Sequence, residues 1–450
     1  MRHSLYNLGI YLYGFAMALA ALFVSKARRW RQGRRNWQGD LDERMRLART
    51  DGRRRVIWLH CASLGEFEQG RSLIDAWRTE ISHPTGESVG SAIAQDFLLL
   101  TFFSPSGYEQ RKDYPMVDYV AYLPLDTPSN AAKFLDIVRP DVAIFVRYEF
   151  WYNFLRQLHL RSVPTYLVAA VIDERSRLFK GFLSPLYRQM FAWYRHIFVQ
   201  DGESARLLQQ HCALAATAAG DTRIDAIVKS RLRALPLPAF LPQLAEAKPV
   251  FVAASVYWSE RHFLQPLLQR LVAEGWRVLL VPHEVDSAEI ERWRAWLQQN
   301  KMVFDAYSVY GAEHSAFDEA TLQRAADVWL IDAVGLLKRL YALAKAAYVG
   351  GALGGGNLHN VVEPAAYEVP VFAGKSRRRF VEADDMLRRG LLHQLPLSET
   401  PAQQQQAAEE LLRALPAFIA IERKAQFEAF FEQHTGATQK IIEVIAASVG

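Results

Sequence analysis

From residue 56 onward, short apolar runs alternate with longer amphipathic stretches. The runs at 56–60, 97–103, 118–122, 142–146, 165–170 and 196–200 are too short for helices and predict buried strands. The stretches near 66–78, 128–138, 151–160 and 202–211 carry apolar residues at helical spacing and predict the helices between them. Such alternation implies a parallel sheet covered on both faces. Prolines then crowd residues 233–249, which read as a linker. The alternation restarts, with strands expected at 250–254, 277–281, 328–331, 347–349 and 370–373, and the tail from about 401 to 448 reads as helical throughout. The predicted fold class is α/β, two successive doubly wound sheets facing one another. Ligands of such sheets bind at the carboxyl ends of strands, so a cleft between the domains is the expected site.

Ahead of this pattern, residues 4–25 carry no charge and include Leu5, Leu8, Leu12, Phe15, Leu19, Leu22 and Phe23. The run matches the roughly 20 residues that a bilayer-spanning helix needs. Lys26, Arg28, Arg29, Arg31, Arg34 and Arg35 follow it directly, and Arg53, Arg54 and Arg55 come soon after. Beside an apolar run, a basic cluster favours anionic lipid headgroups over nucleic acid, and it would stay cytoplasmic. A cleaved signal peptide fits less well, because the charges follow the apolar run. Tyr6, Asn7, Tyr11 and Tyr13 suit an interfacial helix as well as a spanning one.

Composition sharpens this picture in two ways. A chain of 450 residues is too long for one ordinary core, and half of it is hydrophobic, which excludes disorder. Cys61 and Cys212 are the only cysteines, too few for a disulfide framework or a cysteine metal site, and this fits a reducing compartment.

Two turns carry candidate chemistry. The first, His60-Cys61-Ala62-Ser63-Leu64-Gly65-Glu66, links a strand end to a helix start. Glu66 there either acts as a general base or merely favours the helix dipole. The second runs from Gly350 to Glu363 and includes Gly354, Gly355, Asn360, Val361 and Val362. Its glycines let the backbone approach a phosphate, and a helix expected near His359 would add free N–H groups. The spacing matches neither a Walker motif nor the dinucleotide fingerprint. Arg147 and Glu149, Arg223, and His283 also fall at strand ends. No His, Asp or Glu cluster has metal-ligand spacing, so no metal or other cofactor is expected.

Together these segments resemble the 3-deoxy-D-manno-oct-2-ulosonic acid (Kdo) transferases of lipopolysaccharide synthesis. The matching pieces are HCASLGEFEQG at 60–70, TFFSPSGYE at 101–109, RYEFWYN at 147–153, GDTRID at 220–225, VPHE at 281–284 and the glycine segment at 350–370. The resemblance implies a GT-B fold, two Rossmann-like domains, and an inverting, metal-independent glycosyltransferase at the cytoplasmic face of the inner membrane. It implies CMP-Kdo as donor and a lipid A precursor, lipid IVA, as acceptor. It implies that Glu66 is the general base and that Arg147 and Arg223 stabilise the transition state. It also implies that Pro282 and His283, Val334, Gly335 and Leu336, and Asn360 to Glu363 hold CMP. Many relatives carry an acidic residue where this chain has Arg147, which leaves Glu149 as the acidic residue of that segment. Relatives often carry Glu where this chain has Leu336.

The expected organisation is a membrane anchor and basic segment at 1–35, an acceptor domain at 36–235, a linker at 236–249, a donor domain at 250–400 and helices at 401–450. The expected partners are donor, acceptor and an anionic membrane surface, without nucleic acid. Two other readings stand beside this one. One is a different sugar-nucleotide enzyme of the same fold, such as a nonhydrolysing epimerase. The other is a membrane-tethered nucleotide-binding protein without turnover.

Overall fold

The computed structural model describes residues 2–50, 55–81, 96–174, 178–232, 236–310, 316–376 and 380–448. Arg53 and Arg54 of the basic cluster and residues 233–235 of the proline-rich stretch lie outside the described residues. The chain divides into two compact units, Met1–Ala226 with His434–Gly450, and Ile227–Gln433.

Unit 1 is built on β1 (Arg55–Cys61), β2 (Asp96–Phe102), β3 (Tyr119–Tyr122), β4 (Val142–Val146), β5 (Thr165–Ala170), β6 (His196–Val199) and β7 (Thr217–Ala218). They form one parallel sheet in the order β3-β2-β1-β4-β5-β6-β7. Side chains alternate across it. Ile57 and Leu59 of β1 join a core with Ile144 and Val146 on one face, while Trp58 packs with Phe134, Phe145 and Phe154 on the other. Each such side chain contributes about 1.5–3 kcal/mol on burial, which is why these strands read as continuous apolar runs.

Unit 2 repeats the plan with β8 (Val250–Val256), β9 (Arg277–Pro282), β10 (Phe304–Ala306), β11 (Val328–Leu330), β12 (Ala344–Val349), β13 (Val371–Gly374) and β14 (Leu392–Leu395). Its order is β10-β11-β9-β8-β12-β13-β14, again parallel. Both sheets have a switch point, at β1/β4 in unit 1 and at β8/β12 in unit 2. There the flanking connections run opposite ways and open a crevice at the strand ends.

Three strands depart from the expected pattern. β7, β10 and β14 are two to four residues long and lie at sheet edges, where there is no second neighbour to demand an apolar run. The expected linker at 236–249 contains a helix, Phe240–Ala247, whose Phe240, Leu241 and Leu244 are buried in unit 2. Pro242 is tolerated because it sits in the first turn, where its missing N–H had no helical acceptor.

The tail is not one segment. Helix Pro401–Ala420 belongs to unit 2, whereas Ala437–Ala447 packs into unit 1 through Ile441, Ile442 and Ile445. The Asp225 carboxylate accepts hydrogen bonds from the backbone N–H groups of Gly436 and Thr438, both at 2.7 Å, and caps that last helix.

At the other terminus, α1 (Arg2–Ala20) buries none of its residues fully, and Leu8, Leu12 and Phe15 are exposed. The chain turns by 119° into α2 (Ser25–Gln32), and α3 (Trp37–Thr50) follows. Among the described residues no single helix is long and apolar enough to cross a membrane, although α1 and α2 satisfy that test as a bent pair.

One edge of α1 is tied to unit 1. The Tyr6 hydroxyl donates to Asp126 Oδ2 at 2.6 Å, and Asn153 Nδ2 donates to Asn7 Oδ1 at 2.8 Å. Asp126 is fully buried and also accepts from the backbone N–H groups of Asn153 and Phe154. Burial pushes its carboxyl up to about 7, against the opposing pull of these hydrogen bonds. The unfolded chain releases this proton near pH 4 and the folded protein near 7, so between those values the folded state binds more protons. Stability from this group is therefore present at acidic pH and is lost as pH rises from about 4 to 7. Denaturant titrations across that window should show a negative slope that Asp126→Asn flattens; an unaltered slope would exclude Asp126 as its source.

Candidate active site

At the unit 1 switch point, β1 ends in His60 and Cys61, and α4 (Leu64–Ala76) starts three residues later. Glu66 occupies the third position of α4, half-exposed, with Phe67 fully buried behind it. The Ser63 hydroxyl donates to the Glu66 carboxylate instead of capping the helix backbone. Burial pushes the Cys61 thiol up, and the nearby charges of Glu66, Glu149 and Glu68 push it further.

His60 is fully buried beneath this turn. Trp58 Nε1 donates to Thr101 Oγ1 at 2.8 Å, and His60 Nδ1 lies 2.8 Å from the same hydroxyl and 3.1 Å from the Thr101 carbonyl oxygen. His60 Nε2 lies 3.2 Å from Glu149 Oε2 but off good hydrogen-bond geometry. Trp151 Nε1 donates to the same Glu149 carboxylate, and the Tyr194 hydroxyl donates to the Glu149 backbone carbonyl at 2.6 Å. Glu149 is thus held from three sides.

Arg147, at the end of β4, adopts a left-handed backbone conformation with φ +73°, which costs a side-chain-bearing residue about 1–2 kcal/mol. Its N–H still donates to Val168 O at 2.8 Å. Arg223 folds back on Asp221, with Nε 2.9 Å from Oδ2. Burial alone would raise the Asp221 carboxyl, but Arg223 and then Arg147 outweigh it and hold the group below the usual range. The Thr222 hydroxyl donates to Gln69 O at 2.8 Å, and the Ser72 hydroxyl donates to Thr222 O at 2.7 Å, so this loop is stitched to α4. Unit 1 therefore gathers Glu66, Arg147, Glu149 and Arg223 on the carboxyl edge of one sheet.

At the unit 2 switch point, the buried carboxylate of Glu260 bridges the turn after β8 and the loop after β12. It accepts from Tyr257 N–H at 2.9 Å, the Tyr348 hydroxyl at 2.8 Å and Gly351 N–H at 3.0 Å. Burial raises its pKa while these bonds pull it down. The fit of the loop is close. Gly351 has φ +98°, and a Cβ there would stand 2.4 Å from Asn357 O.

His283, Tyr257 and His359 form a ring cluster, with centroids 4.6 Å apart for Tyr257–His283 and 4.3 Å for His283–His359. His359 Nε2 lies 3.0 Å from the Tyr257 hydroxyl, and burial lowers its pKa to about 4. Asn360 Oδ1 accepts from Val362 N–H at 3.1 Å, and Lys338 Nζ lies 3.5 Å from Glu363 Oε1. Lys338 follows Val334-Gly335-Leu336, so the three segments 282–283, 334–336 and 354–363 come to one edge. Val334 is exposed, Gly335 is open, and Leu336 is buried in the core, where its side chain is withheld from any ligand.

The helix expected near His359 is in fact the four-residue Val362–Ala365. So short a helix has little dipole and adds little positive potential to the loop. The sequence placed His60 and Asp221 in candidate segments without a role of their own, and gave Tyr257 and Glu260 none. Glu260 carries little sequence signal, because two of its three partners, Tyr348 and Gly351, are 88 and 91 residues away. Among the described residues no three His, Cys, Asp or Glu side chains are grouped to hold a metal ion.

Residues 39–226 match the family model for 3-deoxy-D-manno-octulosonic-acid transferase (kdotransferase). The 3-deoxy-D-manno-octulosonic acid transferase of Haemophilus influenzae is 25% identical over 399 residues, 86% of each chain. That of Bordetella pertussis is 26% identical over 444 residues, 94% of this chain and 95% of the relative. Among solved structures, the UDP-GlcNAc 2-epimerase of Neisseria meningitidis superposes with a TM-score of 0.53 at 12% identity, covering 87% of this chain and 99% of that one. At that identity the likeness speaks to the fold alone, which is GT-B.

Proposed function

We propose that this chain, a member of the Kdo transferase family and so a glycosyltransferase of lipopolysaccharide biosynthesis, takes Kdo from CMP-Kdo and places it on a lipid A precursor, lipid IVA. The reading is carried by Glu66, a half-exposed carboxylate at a switch point beside Arg147, Glu149 and Arg223. Glu66 removes the proton from an acceptor hydroxyl as that oxygen bonds to the anomeric carbon of Kdo. The bond from that carbon to the CMP phosphate oxygen breaks, and CMP departs with the electron pair. One displacement inverts the configuration.

Ser63 donates to one carboxylate oxygen of Glu66 and orients the other toward the acceptor. The Arg147 charge offsets the negative charge that develops on the phosphate. Arg223 orders the loop through Asp221, and Glu149 fixes the turn after β4. In unit 2, Pro282 and His283, Val334 and Gly335, Gly354 and Gly355, and Asn360 to Glu363 hold CMP, with Leu336 acting through its backbone.

We further infer that the exposed apolar side of α1, with Lys26, Arg28 and Arg29 beside it, rests on the anionic cytoplasmic leaflet of the inner membrane.

The test is CMP release by the purified chain in detergent, with freshly made CMP-Kdo, with and without tetraacylated lipid A precursor. The expected result is acceptor-dependent release and a product heavier by one or more Kdo units. Folded protein that binds CMP yet releases none in response to the acceptor would overturn the assignment.

A further inference from the structure

Between α1, α2 and the segment that follows β3 lies a cavity of about 630 Å³, apart from the residues assigned to Kdo transfer. Its walls include Tyr11, Trp30, Arg31, Arg34, Arg35 and Asn130. Among the described residues none of these three arginines makes an ion pair. Arg34 is the most constrained. It donates to three backbone carbonyls, of Leu123 at 2.9 Å, Trp30 at 3.0 Å and Phe103 at 2.7 Å. Its guanidinium also stacks 4.1 Å from the Trp30 ring centre. Burial without a carboxylate pushes its pKa down to about 9, so at neutral pH it remains a cation in want of a counterion. Arg31 and Arg35 extend from the same rim into solvent.

The flank of the cavity is apolar. Tyr11, Gly14 and Ala18 of α1 face inward at helical spacing, and exposed Leu8, Leu12, Phe15 and Leu19 follow round the helix beside them. Three adjacent cations beside an apolar strip fit an amphiphile with an anionic head.

The wall also leads to the candidate active site. Arg34 lies over Phe103 at 4.7 Å, Phe103 packs on Trp151 at 4.6 Å, and Trp151 donates to Glu149. Phe103 and Ser104 further donate their N–H groups to Ala62 O in the turn before Glu66.

We propose that this cavity binds a phosphate group of the lipid acceptor, with Arg31 and Arg35 as the contacting cations, Arg34 as fixed positive charge behind them, and an acyl chain along α1. The assignment rests on the acceptor being a lipid, as in the proposed function. The test is equilibrium binding to the full chain in neutral detergent micelles, without donor. The probes are a phosphorylated tetraacyl glucosamine disaccharide, its dephosphorylated counterpart and phosphatidylglycerol.

Wild type should prefer the phosphorylated disaccharide, and Arg31→Ala/Arg35→Ala should weaken that probe by about tenfold or more and abolish the preference. Arg31→Lys/Arg35→Lys should retain much of it, which separates charge from misfolding. Equal preference in wild type and the alanine variant would overturn the proposal. Phosphatidylglycerol competing as well as the disaccharide would overturn it too, in favour of a site for bulk phospholipid. Because no donor is present, failure of sugar transfer would sink the proposed reaction without deciding this binding result.

Discussion

Glu66→Gln lowers the turnover number for Kdo transfer by about 10²- to 10⁴-fold, the span that a positioned general base contributes, and leaves CMP binding intact. Glutamine keeps the length and the contact with Ser63, and the side chain is half-exposed, so neither the fold nor the core beneath it is disturbed. What disappears is an acceptor for the proton of the attacking hydroxyl. The loss should fall on kcat more than on the acceptor KM, because the proton moves only in the transition state. Single-turnover rates with saturating donor and acceptor would measure it. Wild-type turnover in the variant would remove Glu66 from the chemistry and shift attention to Glu149, the other carboxylate of the cluster.

Glu260→Ala produces the second large effect, on stability and on the donor site together. The substitution strands the N–H groups of Tyr257 and Gly351 and the Tyr348 hydroxyl, all at the switch point of unit 2. A buried donor left without a partner costs about 1–3 kcal/mol, and the buried Tyr348 hydroxyl incurs that cost while the two part-buried N–H groups add to it. The glycine loop then loses its tether to the turn after β8, and CMP affinity should fall by about tenfold or more, since an ordering cost is added to binding. Glu260→Gln retains one carbonyl acceptor but turns an N–H toward one of the donors, and its effect should fall between. Denaturant unfolding and calorimetric CMP titration would report both quantities. Wild-type CMP affinity in a folded Glu260→Ala protein would show that the loop holds its shape without the carboxylate.

These two residues also mark what the sequence could and could not convey. Glu66 was legible because it follows a continuous apolar strand and opens an amphipathic helix, both local patterns. The central strands of both sheets were legible for the same reason, as were the glycines at 350–356. Glu260 was not, because its meaning lies in partners across the sheet. The His60–Glu149 contact was hidden likewise, although both residues stood in segments that carried the family resemblance. The helix Phe240–Ala247 was obscured by prolines that are harmless in a first turn. Helix Ala437–Ala447 read correctly as a helix, but nothing in its own pattern says which core its isoleucines enter. By resemblance Leu336 could offer a ligand only its backbone, and its side chain is in fact buried in the core of unit 2.

During synthesis the chain emerges amino terminus first, yet unit 1 is the last to be finished. Its sheet is translated by residue 218, while the helix carrying Ile441, Ile442 and Ile445 leaves the ribosome only after all of unit 2. Unit 2 is contiguous in sequence and can close its core on its own schedule. Until that helix arrives, α4 lacks the partner that packs on it, and Asp225 lacks the amides it will cap. A polypeptide released at residue 433 would carry a finished second half and an unroofed first half, with the apolar surface that draws nascent chains into aggregates.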